Sequence, residues 1–279
     1  MGMDVGLNAL ERNLLESYRQ HFSEAPSWAF PVAPPIPFVG RSYPENGGGV
    51  LLYASAENLG YTWDDANPTR VGWELHSSER VNKWPWLGNC WSQMLRGRIM
   101  LESVGGTSVH IGPINDGTQL KVARHIVQCL RPLSGFAEAS ARDFLEQIAV
   151  SNPGKYSIFS RTNMDYARDV GKFKEMVPYI LADLNALRPE VLIIPGTIYN
   201  TLQRTTLKDR LAEVPKVVLI SQVQPRPIRV WRRPLAEKER WCVNTVRYRW
   251  DVAAHADQYV QWIEERSMTT KWGERIIRL

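Results

Sequence analysis

Four short apolar runs, each separated from the next by helical patterns, constrain the fold more than any other feature of this sequence. They cover residues 50–55, 147–151, 191–194 and 216–220. Apolar runs of this length, bounded by Gly, Pro or Asn, are typical of strands buried on both faces of a parallel sheet. Intervening helices supply the crossovers that parallel strands need. We therefore predict an α/β fold, a three-layer α/β/α arrangement around a central four-stranded, mainly parallel sheet.

The remaining patterns organise the 279 residues into one domain around that sheet. Residues 1–49 form a lead-in with an amphipathic helix over 1–25 and a Pro-rich extended connector, followed by a turn-rich loop. Residues 61–146 form an insertion between the first and second core strands. Further helices are predicted over 118–130, 172–187, 199–211 and 252–265, followed by a basic tail.

Several classes of protein are excluded or disfavoured by what the sequence lacks. No apolar run approaches 18 residues, so no transmembrane helix is expected, and the acidic N-terminal helix does not resemble a signal peptide. Three widely spaced cysteines suit a reducing cytoplasm and predict no disulfide framework. The sequence contains no P-loop, no GxGxxG after a strand and no GxSxG. The histidines do not have metal-ligand spacing, so we expect neither a metal nor a cofactor.

Positive charge is concentrated around and after the fourth predicted strand. Residues 204–249 contain 12 Lys and Arg against 4 Asp and Glu, a net charge of +8, whereas the rest of the chain sums to −3. A basic block beside a neutral or acidic body indicates a polyanionic partner. A solvated basic face accounts for the same pattern, and charge alone leaves both interpretations open.

Ligands of open parallel sheets bind beyond the carboxyl ends of the strands, so the residues that follow each run are the candidates for a site. These residues are polar and rich in carboxamides. Carboxamides can orient a water molecule and read the edge of a base, but they are poor general acids and bases. The candidates are Glu57, Asn58, Asn152, Lys155, Asn163, Gln222 and Gln224.

Four segments, taken in order, resemble the motifs of the uracil-DNA glycosylase superfamily. They are VLLYASAENLG (50–60), IAVSNPGKYSIFSRTN (148–163), KFKEMVPYILADLNALRPEVLIIPGTIYNTL (172–202) and VVLISQVQPRP (217–227). The resemblance implies a uracil-DNA glycosylase-like sheet and an enzyme that extrudes a nucleotide from DNA and cleaves its N-glycosidic bond.

The resemblance also assigns roles to individual residues of the base pocket. Asn58 matches the residue that positions the attacking water, and Asn152 matches the Asn that reads the Watson–Crick edge of a pyrimidine. Gly60 occupies the position at which uracil-specific members have a Tyr that blocks substituents at C5 of the pyrimidine. A Gly at this position leaves the C5 side of the pocket open. Ala56 replaces the motif Gly, and Tyr61 completes the base-binding segment. The ordinary alternatives are a helix-capping turn residue for Asn58 and a backbone-bonding residue for Asn152.

The largest departure from the family pattern is Gln224, which occupies the place of the motif His. That His stabilises charge on the leaving base, and a neutral Gln donor does so more weakly. Glu57 is the candidate acid if it is buried with a raised pKa; a solvated or paired carboxylate is the alternative.

Residues of the second segment, and residues within and after the fourth, are the candidates for DNA contact. Residues 225–229 would enter the duplex and fill the gap left by the extruded base. The remaining basic residues would contact phosphates, although an ordinary basic surface is the alternative. The candidates are Lys155, Arg161, Pro225, Arg226, Ile228, Arg229, Arg232 and Arg233.

Taken with the resemblance, these residues predict a cytoplasmic, monomeric, monofunctional glycosylase that acts on double-stranded DNA. The open C5 side, the missing His and the Trp-rich insertion resemble divergent bacterial anti-phage glycosylases that excise glucosylated hydroxymethylcytosine. Core packing is an equally good explanation of the insertion's tryptophans. Three alternatives remain: a repair glycosylase for uracil or another deaminated base, a non-catalytic DNA-binding module of the same fold, and a different α/β hydrolase acting on nucleotides.

Overall fold

The computed structural model describes seven parts of the chain: residues 7–29, 34, 36–53, 115–130, 141–156, 168–220 and 261–279. These residues form one six-stranded sheet with helices packed against it. Its strands are β1 (Phe38–Val39), β2 (Val50–Tyr53), β3 (Ile148–Ser151), β4 (Val191–Pro195), β5 (Lys216–Ile220) and β6 (Ile276–Arg278).

The strand order is β1-β3-β2-β4-β5-β6. Only the pairing of β1 with β3 is antiparallel; the other four pairings are parallel. The predicted α/β class and the four predicted strands are therefore confirmed, with bounds within two residues of those expected. The predicted number of strands is wrong, because two further strands extend the sheet at its edges.

The two unexpected strands depend on pairing partners that are distant in sequence. β1 lies in the lead-in, at the start of the segment predicted as a turn-rich loop, and it pairs with β3 through Phe38↔Val150 and Val39↔Ala149. β6 lies in the basic tail and pairs with β5. Both are too short to be recognised from local periodicity, and each forms because it completes the hydrogen bonds of a strand already in the sheet.

The helices of the described residues are α1 (Ala9–His21), α2 (Asn115–Leu130), α3 (Ala141–Leu145), α4 (Val170–Leu187), α5 (Gly196–Leu202) and α6 (Lys208–Ala212). A further helical segment covers 261–267. The single helix predicted over 199–211 is wrong. Thr205 bonds the carbonyl of Leu202 and accepts from the amide of Leu207, which turns the chain between α5 and α6.

Helix α4 has well-defined ends that fix its position along the sheet. The Asp169 side chain accepts a hydrogen bond from the Lys172 amide at the N-terminus. At the C-terminus Arg188 adopts a left-handed conformation with φ +40°, and its amide donates to the carbonyl of Leu184. Pro189 follows and prevents further helix. The helix therefore ends immediately before β4, as the sequence predicts.

Side chains on the two faces of the sheet belong to two separate hydrophobic clusters. Alternate strand residues such as Leu51, Tyr53 and Leu192 pack with α1, α4 and α5. Their neighbours Leu52 and Ile193 pack with α2, α3 and the C-terminal helical segment. We call these the α1–α4 face and the α2–α3 face. Burial of both faces explains why the strands are continuously apolar.

Candidate functional site

The carboxyl ends of β2 and β3 lie side by side and form the best-described part of the predicted site. The two strands are parallel and in register, so their last residues, Tyr53 and Ser151, are paired. On the other side of β2, β4 ends at Pro195, which pairs with Ile220 at the end of β5. The topology therefore brings the carboxyl ends of all four predicted strands to one edge of the sheet, where ligands of such sheets bind.

Asn152, the predicted base-reading residue, follows directly after the last residue of β3. Its side chain is buried, at 5% exposure. A buried carboxamide needs hydrogen-bond partners, and one that reads a base must present its free edge toward a pocket. Its location at a strand end agrees with both the base-reading role and the alternative of a residue that bonds nearby backbone.

A buried ion pair lies directly behind this strand end. Lys155 Nζ lies 2.5 Å from Oδ2 of Asp183 on α4 and 2.8 Å from Oγ of Ser151. Both side chains of the pair are fully buried. The ammonium also lies 5.5 Å and 5.6 Å from the ring centroids of Tyr18 and Tyr53, within the range of cation–π attraction.

Asp183 is the centre of this network because it accepts hydrogen bonds from α1, from β2 and from the loop that follows β3. The Tyr18 hydroxyl of α1 donates to Oδ1 at 2.6 Å, and the Tyr53 hydroxyl at the end of β2 donates to Oδ2 at 2.8 Å. Lys155 supplies the third donor. Burial raises the pKa of Tyr53 well above its usual value, and the adjacent Asp183 carboxylate raises it further. Tyr53 therefore remains a donor at neutral pH.

An aromatic group surrounds the same network on the side of α4. The Tyr156 hydroxyl donates to the Tyr179 hydroxyl at 3.1 Å, and the Tyr18 and Tyr179 rings lie 4.9 Å apart. Trp28 packs edge-on against Tyr156 with centroids 5.8 Å apart. These contacts exclude water from the ion pair, which strengthens its electrostatic interactions.

The predicted phosphate contact of Lys155 is corrected by this geometry. A phosphate ligand needs a solvent-facing ammonium, whereas the Lys155 side chain has no exposed surface and is held by Asp183 and Ser151. The same contacts argue against two reactive roles. An ammonium that donates to a carboxylate has no free electron pair with which to activate Ser151 or to attack a sugar.

The sequence motifs do not single out Tyr18, Tyr53, Ser151 or Asp183 as functionally important. A signal for Asp183 was present: it lies three residues after Ile180 and seven after Met176, on the apolar stripe of α4. A lone acid on a buried helical stripe requires a partner inside the protein. The sequence did not indicate which cation would supply it.

The other predicted site residues lie outside the described part of the chain, and their predicted roles stay predictions. They are Ala56, Glu57, Asn58, Gly60, Tyr61, Arg161, Asn163, Gln222, Gln224, Pro225, Arg226, Ile228, Arg229, Arg232 and Arg233. The predicted 61–146 insertion is described only at residues 115–130 and 141–146, and the 204–249 basic block only as far as residue 220.

A second polar cluster on the α2–α3 face lacks the features of a reactive site. His125 Nε2 lies 2.9 Å from Oγ of Ser267 and 3.6 Å from Sγ of Cys129. Partial burial raises the pKa of the Cys129 thiol, which keeps it in its less nucleophilic form. Within the described ranges no three His, Cys, Asp or Glu residues are grouped to hold a metal ion. The same ranges contain no helix long and apolar enough to cross a membrane.

Comparison of the chain with protein-family models, with curated proteins and with solved structures finds no match. The interpretation of the site therefore depends on its own residues and on the motif resemblance.

Proposed function

We propose that this protein is a DNA glycosylase of the uracil-DNA glycosylase type, with a three-layer arrangement around the four central parallel strands. It flips a modified pyrimidine out of double-stranded DNA and hydrolyses its N-glycosidic bond. The single observation that carries the proposal is the location of Asn152. It is a buried carboxamide at the carboxyl end of β3, beside the end of β2 from which the Asn58 segment continues.

Each residue of the proposed reaction has one task. Asn152 bonds the Watson–Crick edge of the flipped base, and Asn58 orients the attacking water. Glu57 or a group outside the resemblance supplies a proton to the leaving base, since Gln224 is only a neutral donor. No metal or cofactor takes part. Extrusion of the base costs a few kcal/mol, which pocket contacts and the basic 204–249 block offset.

The substrate we propose is glucosylated hydroxymethylcytosine in phage DNA. Gly60 leaves the C5 side of the pyrimidine open, where the substituent of such a base lies, and the Trp-rich insertion offers aromatic faces that can stack on a sugar. The enzyme would act as a monomer in the cytoplasm and leave an abasic site, as an anti-phage defence.

An abasic-site assay on four DNAs tests this proposal: unmodified, uracil-containing, hydroxymethylcytosine-containing and glucosylated phage DNA. We expect abasic sites only in the glucosylated DNA. Asn58→Ala and Asn152→Ala should each lose activity by about 10²–10³-fold, the range for removing one preorganised hydrogen-bonding side chain from an active site. Asn200→Ala, at an exposed position on α5, is the matched control and should retain wild-type activity.

Other outcomes assign the protein to one of the alternatives. Abasic sites in uracil DNA indicate a repair glycosylase. DNA binding without abasic sites indicates a non-catalytic module, for which the replacement of the motif His by Gln224 is the supporting observation. Strong hydrolysis of a free nucleoside overturns the DNA substrate and favours a nucleotide hydrolase.

A further inference from the structure

The ends of β2 and β3 are connected through a single carboxylate that belongs to neither strand. Asp183 accepts from Tyr53 at the last position of β2 and from Lys155, which follows β3. Lys155 in turn donates to Ser151, the last residue of β3. Asp183 is fully buried, so it does not touch a substrate.

The loop that carries Asn152 is closed by this network. The bond from Lys155 Nζ to Ser151 Oγ spans residues 151–155, with Pro153 and Gly154 between them. The Lys155 amide also donates to Sδ of Met176 on α4, at 3.3 Å. Asn152 therefore lies in a short loop that is fastened at its start to β3 and at its end to α4.

We infer that Asp183 is a positioning residue, which holds the end of β2 against the end of β3 and so sets the distance between the two halves of the site. The inference rests on the proposed function, in which Asn152 reads the base and the segment after Tyr53 orients the water. A misplacement of about 1 Å between reacting groups can cost about 100-fold in rate, so a fixed distance between these segments matters to catalysis.

Two tyrosines provide a matched test because they donate to the same carboxylate from different elements. Both rings are fully buried, and both hydroxyls bond Asp183. Tyr53 is the last residue of β2, whereas Tyr18 belongs to α1 and to no strand of the sheet. Tyr53→Phe and Tyr18→Phe each delete one hydroxyl, and Ser151→Ala removes the partner of Lys155 at the end of β3. The measurements are kcat and KM on glucosylated DNA, the Tm, and amide hydrogen exchange.

We expect Tyr53→Phe and Ser151→Ala to lower kcat by about tenfold or more, with KM within about twofold, because geometry rather than binding is lost. Tyr18→Phe should lower the Tm as Tyr53→Phe does but keep kcat within about twofold of wild type. Equal losses of kcat in the two Tyr variants would indicate a purely structural network and overturn the inference. Unchanged kcat in Tyr53→Phe would overturn it as well.

Failure of the proposed function is distinguishable from failure of this inference. Wild-type protein that forms no abasic sites in any DNA overturns the glycosylase. Amide hydrogen exchange then tests the positioning role of Asp183. Faster exchange of residues 51–53 and 149–155 in Tyr53→Phe, but not in Tyr18→Phe, supports that role. The same exchange pattern in both variants overturns it.

Discussion

The two faces of the sheet are stabilised by different chemistry, although both are buried by helices. The three buried charged side chains of the described residues, Glu11, Lys155 and Asp183, all bond groups on the α1–α4 side. Among the described residues, six tyrosines belong to the cluster on that face, and none belongs to the cluster on the α2–α3 face. The second face is held by Leu, Ile, Val and Phe.

Because of this difference, one face contributes mainly to stability, whereas the other also determines the relative positions of its elements. Apolar packing tolerates rearrangement if volume is kept, whereas hydrogen bonds are directional and a half-satisfied buried network is costly. The α1–α4 face therefore fixes the relative position of α1, α4 and the ends of β2 and β3. The α2–α3 face contributes mainly apolar burial, although His125 and Ser267 also form a polar contact there. Variants on each face should consequently fail in different ways.

The largest effect should come from removing one partner of the buried ion pair. Lys155→Met leaves the Asp183 carboxylate buried without its cation, because the Met side chain fills similar space but donates no hydrogen bond. We expect the free energy of unfolding to fall by about 3–5 kcal/mol. Urea denaturation followed by circular dichroism measures the change.

Lys172→Met is the matched control for this variant. Lys172 pairs with Asp169 at 3.8 Å, and both side chains are partly exposed. An exposed pair contributes about 0–1 kcal/mol, so the loss should be small. Similar losses in the two variants would contradict the view that burial makes the Lys155–Asp183 pair different.

On the α2–α3 face the most informative change adds a polar group. Val150→Thr, at a fully buried position next to Phe38 and Leu52, introduces a hydroxyl into the apolar cluster of this face. We expect a loss of about 1–3 kcal/mol from the unsatisfied hydroxyl. Val50→Thr, at a half-buried position on β2, is the control and should cost less than about 0.5 kcal/mol. A loss at Val150 as small as at Val50 would show that the apolar face accepts polar groups.

The same difference explains which features the sequence could predict. The four central strands are recognisable because their apolar runs carry their own signal, and α4 is recognisable from its spacing and the following proline. β1 is not recognisable in this way. The amide of Val39 donates to Glu11 Oε1 on α1, and its carbonyl accepts from Asn8, the N-cap of α1. Contacts between distant residues decide such elements, and local propensity does not encode them.

The site was predictable to a similar, limited degree. The location of Asn152 follows from the end of β3, which the run over 147–151 predicts. The fate of Lys155 does not follow, because its partner Asp183 is 28 residues further along the chain. In the sequence, a lysine beside a predicted DNA site favours the prediction of a phosphate contact. The buried acid that pairs with this lysine is apparent only in the folded structure.

The tyrosines of the α1–α4 face should make the protein labile to alkali. Burial raises the pKa values of Tyr43, Tyr53, Tyr156 and Tyr179, whereas an unfolded phenol ionises near pH 10. Above that pH the unfolded chain binds fewer protons than the folded protein, so stability is complete below about pH 10 and is lost as the pH rises.

Tyr53→Phe tests this dependence at one residue. Each such tyrosine makes the free energy of unfolding fall by about 1.4 kcal/mol per pH unit. Between about pH 10 and 12 the slope for Tyr53→Phe should therefore be shallower than the wild-type slope by about 1.4 kcal/mol per pH unit. Val150→Thr, which removes no tyrosine, should keep the wild-type slope even though it is less stable throughout. An unchanged slope in Tyr53→Phe would mean that its hydroxyl titrates alike in both states.

The smallest effect, and one of opposite sign, is expected at Tyr199. It belongs to the same cluster as Tyr18 and Tyr53, and it is buried at 4% exposure. Within the part of the chain that the structure describes, however, its hydroxyl has no hydrogen-bond partner. Tyr199→Phe removes a polar group that gains nothing from burial, so stability should be unchanged or should rise by up to about 1 kcal/mol. Tyr53→Phe removes a donor to a carboxylate and should cost about 1.5–3 kcal/mol. Equilibrium unfolding of the two variants side by side measures the contrast. A loss at Tyr199 equal to that at Tyr53 would mean that ring packing, rather than the bonds to Asp183, distinguishes this face from the other.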